Sequence, residues 1–184
     1  MKRILTLFCG LLLCGLSLSA QQKVTVGGAS FYMSDEFEVH GREQLTGEEA
    51  LMIQPKINPD NDRMVLKVQP DALLGIDGLT SEEVSDMLTA AVNSLTDIIV
   101  NPSRKSGWTL DQPYRVRFED DDEFAKAYCS FSAKDKQKEA VLVYAEASLV
   151  NGYIVSVCAV ARGKGPLNDM VSVYHDLISG ILDY

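Results

Sequence analysis

The chain has 184 residues, 23% of them charged, with 26 acidic side chains against 17 basic ones and a formal charge of −9. That balance excludes nucleic acid and anionic lipid as partners recognised through the overall field of the protein. Cationic partners or plain solubility remain as uses for the acidity.

The N-terminus carries a leader pattern. Lys2 and Arg3 precede an almost wholly apolar run from Ile4 to Leu16, and Ser17, Leu18, Ser19 and Ala20 lead into Gln21-Gln22. A positive start, a short apolar core and small residues at its end are the order of a secretory signal. A retained anchor would want about twenty apolar residues, more than this core offers. Cys9 and Cys14 do not make a lipoprotein signal, because Phe8 and Leu13 stand where a small residue is required. The expectation is a cleaved signal peptide over 1–20 and one globular domain over 21–184, exported to the periplasm or secreted. Its 164 residues would carry 15 basic and 26 acidic side chains, a net −11, with length enough for one sizeable core.

Through the domain, Ala29 to Met33, Phe37 to Val39, Ala50 to Ile53 and Met64 to Gln69 read as strands, with a turn at Asn58-Pro59-Asp60-Asn61-Asp62. Thr80 and Glu83 form a capping box, with Leu79 and Val84 as its hydrophobic staple. Val84, Leu88, Ala91, Leu95 and Ile98 then follow at helical spacing until Asn101-Pro102. After a polar loop containing Trp108, the period becomes two: Tyr114, Val116 and Phe118 alternate with Arg115 and Arg117. Strands are expected over Lys126 to Phe131, Ala140 to Val150 and Tyr153 to Ala161. Gly163 to Pro166 ends the sheet, and Asn168 or Asp169 caps a final helix with the stripe Met170, Tyr174, Leu177, Ile178 and Ile181.

Asn151-Gly152 is a strong two-residue hairpin turn, since both residues can take positive φ. It pairs Leu149 with Ile154, Ala145 with Cys158 and Val143 with Val160. The reverse face carries Leu142, Tyr144, Ala159, Val157 and Val155, so both faces are mostly apolar and both need cover. The fold class expected is α+β: a three-layer α/β/α sandwich with a central antiparallel sheet of about six strands and two main helices.

The opening Phe31-Tyr32-Met33-Ser34-Asp35-Glu36-Phe37-Glu38-Val39, the capped mid-chain helix, the four-strand meander and the closing helix ending Ile178-Ser179-Gly180-Ile181-Leu182 resemble the Mog1/PsbP-like fold in order of elements. The resemblance implies a small accessory or binding protein without a shared catalytic site. It transfers no functional residue.

Candidate chemistry is sparse. With Cys9 and Cys14 in the leader, Cys129 and Cys158 remain, separated in a meander by the strand Ala140 to Val150. Two strand steps are about 10 Å, beyond the ~7 Å Cα limit for a bridge, so two free buried thiols are expected. His40 and His175 lack metal or triad spacing. Glu119-Asp120-Asp121-Asp122-Glu123 lacks the glycine of a calcium loop and reads as a solvated turn with a minor claim, together with Trp108, as an interaction surface. Arg162-Gly163-Lys164-Gly165-Pro166 is no phosphate loop, because the Gly-Lys-Ser/Thr ending is missing. The functional expectation is a non-enzymatic envelope accessory or binding domain that uses no cofactor or metal. Its partner would be an envelope protein or a small ligand met at a surface or shallow groove. The rivals are an envelope enzyme assembled from His175, Asp169 and Tyr144, and a structural partner subunit.

Overall fold

The computed structural model describes residues 21–45, 48–57, 62–69, 78–100, 108–120, 124–134 and 137–182. The expected leader over 1–20 and the turn over 58–61 therefore lie outside the described residues. So do the start of the loop before Trp108 and the acidic residues Asp121, Asp122 and Glu123.

The described strands are β1 (Gln21–Val26), β2 (Ala29–Ser34), β3 (Phe37–Leu45), β4 (Glu48–Pro55), β5 (Arg63–Gln69), β6 (Thr109–Leu110), β7 (Arg117–Asp120), β8 (Ala125–Lys134), β9 (Ala140–Val150) and β10 (Tyr153–Ala161). Helix α1 (Ser81–Val100) lies between β5 and β6, and helix α2 (Lys164–Leu182) follows β10. The main sheet is antiparallel with order β3-β4-β5-β10-β9-β8-β6, and β7 also pairs with β8. It has eight strands, a correction to the six expected. A further hairpin, β1–β2, stands apart as its own two-stranded sheet. Strand β1 was not anticipated, because Gln21, Gln22 and Lys23 offer little apolar alternation; only Val24 and Val26 turn inward.

The sheet separates two apolar clusters, which gives the α/β/α layering. Helix α1 covers one face: Val84, Leu88, Val92 and Leu95 bury against Ala127, Cys129, Val143, Ala145, Cys158 and Val160. Helix α2 and the β1–β2 hairpin share the other. Met170, Tyr174, Leu177 and Ile178, with Val26, Phe31 and Met33, pack over Leu66, Val68, Val155 and Val157. The helix contacts fall on β2, β9 and β10, so the outer strands β8 and β7 are not roofed on that side.

Local signals explain the element ends. Thr80 Oγ1 accepts from the Glu83 amide at 3.3 Å, and the Glu83 carboxylate accepts from the Thr80 amide at 2.8 Å, closing the capping box. These bonds hold the Glu83 carboxyl below its ordinary value, the Thr80 backbone bond contributing most. Leu79, the intended staple partner of Val84, is instead exposed. Asn151 and Gly152 take φ of 44° and 85°, and the β9–β10 register places Ala145 opposite Cys158 and Val143 opposite Val160. Helix α2 begins at Lys164, ahead of the expected cap at Asn168 or Asp169. Pro166 sits in its first turn, where an amide would have no intrahelical acceptor, so proline is accommodated there.

Candidate functional site

Polar side chains gather beneath α2 and at the interrupted edge of the sheet. The first place is a sealed cluster; the second is an open hollow.

The cluster is centred on Glu146, whose side chain is 1% exposed. Tyr144, Glu146 and Ser148 alternate along β9, so all three point toward α2. Glu146 Oε1 accepts from Ser148 Oγ at 2.8 Å, and Oε2 accepts from the Tyr144 hydroxyl. His175 Nε2 on α2 stands 3.6 Å from the same oxygen, with its ring half exposed. Tyr174 donates to the Val155 carbonyl at 3.1 Å and lies 3.3 Å from Ser148 Oγ. Burial alone would raise the Glu146 carboxyl, but His175, Tyr144 and Ser148 together outweigh it and hold it below the ordinary value. Burial, with the Glu146 charge behind it, pushes the Tyr144 and Tyr174 hydroxyls well up. They stay protonated and serve as donors. On the neighbouring strand Tyr128 lies opposite Glu146, and Lys126 lies opposite Ser148. Burial works against the Lys126 charge, but Glu119, 3.1 Å away, and Glu146 together keep the ammonium charged.

Of the three residues proposed for an assembled enzyme site, His175 and Tyr144 therefore meet, at Glu146. Asp169 does not join them. It lies six residues before His175, about 9 Å along the helix axis, and lines a separate hollow of about 510 Å3 with Phe37, Pro55, Lys56 and Asp62. Asp62 there is buried and accepts the Arg162 amide at 3.0 Å. Glu146 itself was missed at the level of sequence, although a carboxylate in an eleven-residue apolar strand was a readable signal.

The second place is a hollow of about 800 Å3 between the segment 111–117 and residues 128–132 of β8. It exists because the sheet edge is interrupted. Strand β7 pairs with Ala125 to Tyr128, and β6 pairs with Ala133 and Lys134. Among the described residues no strand pairs with Cys129 to Ser132 on that side. Pro113 cannot donate to a ladder, and Tyr114 and Val116 turn toward the α1 cluster. Tyr114 stacks on Phe131 at 4.8 Å. Arg115 and Arg117 thereby face the opposite side, that of Tyr128, Ser130 and Ser132.

Of the acidic run, Glu119 and Asp120 are described, and both are exposed. Glu119 accepts from the Tyr128 hydroxyl at 2.6 Å, and Asp120 accepts from Ser81 Oγ at 2.7 Å at the start of α1. Trp108 is half-buried and packs against the α1 cluster. Among the described residues there is no group of three or more acidic, histidine or cysteine side chains placed to hold a metal ion.

Cys129 and Cys158 are buried and free, both paired with Ala145 from opposite sides. Burial pushes the Cys129 thiol up to about 11 and the Cys158 thiol higher still, so neither has thiolate character. Alkylation of the folded protein without reductant is expected to leave Cys129 and Cys158 unmodified, and the same treatment after unfolding should add an adduct to each. A mass showing the pair linked would overturn this geometry.

No protein-family model matches the chain, and no curated protein matches it. Among solved structures it is similar to cyanobacterial PsbP (CyanoP) from Synechocystis sp. PCC 6803, at 11% identity and TM-score 0.50, over 90% of this chain and 94% of that one. It is also similar to the Saccharomyces cerevisiae Ran-binding protein Mog1p, at 8% identity and TM-score 0.46, with the same coverage. The chain has the Mog1/PsbP-like fold. Identity this low carries the architecture and leaves function to the site.

Proposed function

We propose that this chain is an exported, non-catalytic accessory or binding domain of the cell envelope that engages its ligand at the interrupted edge of β8. The fold fits a binding or accessory role. The observation that carries the site is the hollow of about 800 Å3, walled by Arg115, Arg117, Tyr128 and Ser130 and left open by the gap between β6 and β7. Its size suits a small ligand or a short segment of a partner. Export rests on the leader pattern of residues 1–20.

The enzyme alternative draws on Tyr144 and His175 meeting Glu146. The same contacts argue for a structural role, because the carboxylate is saturated by its neighbours and sealed from solvent. Amide NMR against a set of small carboxylate, amide and amine fragments separates the two. Shifts clustered on residues 111–117 and 128–132 are expected. Shifts centred on Glu146 and His175, with turnover of a fragment, would overturn the binding assignment. N-terminal sequencing of protein from the envelope fraction should begin at Gln21; an intact Met1 there would overturn the cleaved leader.

A further inference from the structure

The proposed binding edge has a shape and a charge that narrow its ligand. Asp111 donates its backbone amide to the Ser132 carbonyl at 3.3 Å, across the outer edge of β8. Backbone groups alternate sides along a strand, so the Ser130 N–H and C=O also face outward, into the hollow. Among the described residues neither is taken by a strand partner. This is the donor and acceptor pair that an added strand uses.

The charge lies beside it. Arg115 and Arg117 are exposed and line the hollow, and neither guanidinium forms an ion pair or hydrogen bond among the described residues. Asp111 also lines the hollow, but its carboxylate is engaged by Ser132 Oγ at 3.0 Å and by Lys134 at 3.7 Å, and Glu119 is engaged by Tyr128 and Lys126. The two arginines sit two residues apart on extended backbone, a repeat of about 7 Å. An extended peptide presents its own alternate side chains at the same repeat. The open stretch from Cys129 to Phe131, between the Asp111 bond to Ser132 and the Arg117 pair with Tyr128, accommodates about three residues at roughly 3.3 Å each.

We infer that the interrupted edge of β8 binds a short extended peptide with acidic side chains at alternate positions. Its backbone pairs with Ser130, and its carboxylates meet Arg115 and Arg117. Arginine suits this task because its planar fork matches a carboxylate with two parallel donors. On the other face the stacked pair Tyr114–Phe131 supplies the apolar wall against which intervening side chains rest.

This inference rests on the hollow being the binding site, and the test is arranged so that the two fail separately. The probes are acetyl-Val-Glu-Val-Glu-amide, its counterpart with Gln for Glu, and free glutamate. The readouts are amide NMR shifts and hydrogen exchange at Ser130. The acidic peptide is expected to shift Ser130 and Ser132 and slow exchange of the Ser130 amide. It should bind at least tenfold more tightly than the Gln peptide, and free glutamate should leave Ser130 exchange unchanged. The double variant Arg115→Ser/Arg117→Ser, both sites being exposed, should keep the wild-type melting temperature and lose that tenfold preference. Equal binding of the two peptides, or an unchanged preference in the double variant, would overturn the inference while leaving a binding hollow in place. Fragment binding that avoids residues 111–117 and 128–132 altogether would overturn both.

Discussion

Replacing Glu146 with alanine is expected to lower stability by about 3 kcal/mol, since one buried and one half-buried donor lose their acceptor at about 1–3 kcal/mol each. For a chain of this length that is a fall of roughly 6–12 °C in melting temperature. Ser148 is fully buried and has no water to turn to, whereas half-buried Tyr144 can be rehydrated in part. The loss therefore falls mainly on Ser148 and, through it, on Tyr174, whose hydroxyl lies 3.3 Å away. Glu146→Gln keeps the volume and an acceptor for Ser148, and should cost about 1 kcal/mol by weakening charge-assisted bonds. Thermal melts of both variants check the order. A Glu146→Ala melting temperature within a degree or two of wild type would show that Glu146 is not the keystone of this cluster.

The pH dependence has a fixed sign. The Glu146 carboxyl is held below its ordinary value of 4.5 in the folded protein. Its contribution is therefore fully present above the unfolded value and is lost as pH falls through the folded one. The titratable groups that face it are His175 from α2, Tyr144 beside it, and Lys126 with its partner Glu119 from β8 and β7. The stability gap between wild type and Glu146→Gln should be widest near neutral pH and shrink below about pH 4.5. A gap that persists unchanged at pH 3 would place the contribution in the shape of the side chain instead of its charge.

What could be read in advance follows from the range of the interactions. The capping box at Thr80 and Glu83 and the Asn151-Gly152 hairpin are set by residues within three positions of one another, and both were legible. Once that turn fixed the register, the faces of Cys129 and Cys158 followed from a period of two. The sheet edge was not legible in this way. Tyr114, Val116 and Phe118 alternate as one strand would, yet only Arg117–Asp120 pairs: Asp111 is pinned to Ser132 and Arg117 to Tyr128, so six steps of chain span four of β8, and the surplus, with Pro113 in it, leaves the ladder. The Asp111–Ser132 contacts join positions some twenty residues apart, and local patterning cannot carry them. Glu146 is the opposite case. Its signal was local, a lone carboxylate between Tyr144 and Ser148, but the apolar members of that face concealed it. The placement of α2 over β9 and β10, and not over β8, then decides that Glu146 is sealed while Ser130 stays open.

The attachment of the β1–β2 hairpin to that same face depends on one backbone position. Gly27 takes φ of +55°, and a Cβ there would stand 2.2 Å from the Val68 carbonyl oxygen and 3.1 Å from the Val68 Cβ. Val68 is buried in β5 and paired with Val155 of β10, so its backbone cannot retreat. Gly28 also has positive φ, +84°, but a Cβ there meets nothing within 4 Å. The pair separates conformational strain from collision. Gly28→Ala should cost only the left-handed penalty, about 1–2 kcal/mol. Gly27→Ala adds displacement of a hairpin that buries Val24, Val26, Phe31 and Met33. Even partial exposure of these four, each worth about 1.5–3 kcal/mol when fully buried, brings the loss to about 4 kcal/mol or more. Parallel melts should place Gly27→Ala well below Gly28→Ala, with extra hydrogen exchange in β1 and β2. Equal melting temperatures for the two variants would mean that the hairpin is not seated on β5 through Gly27.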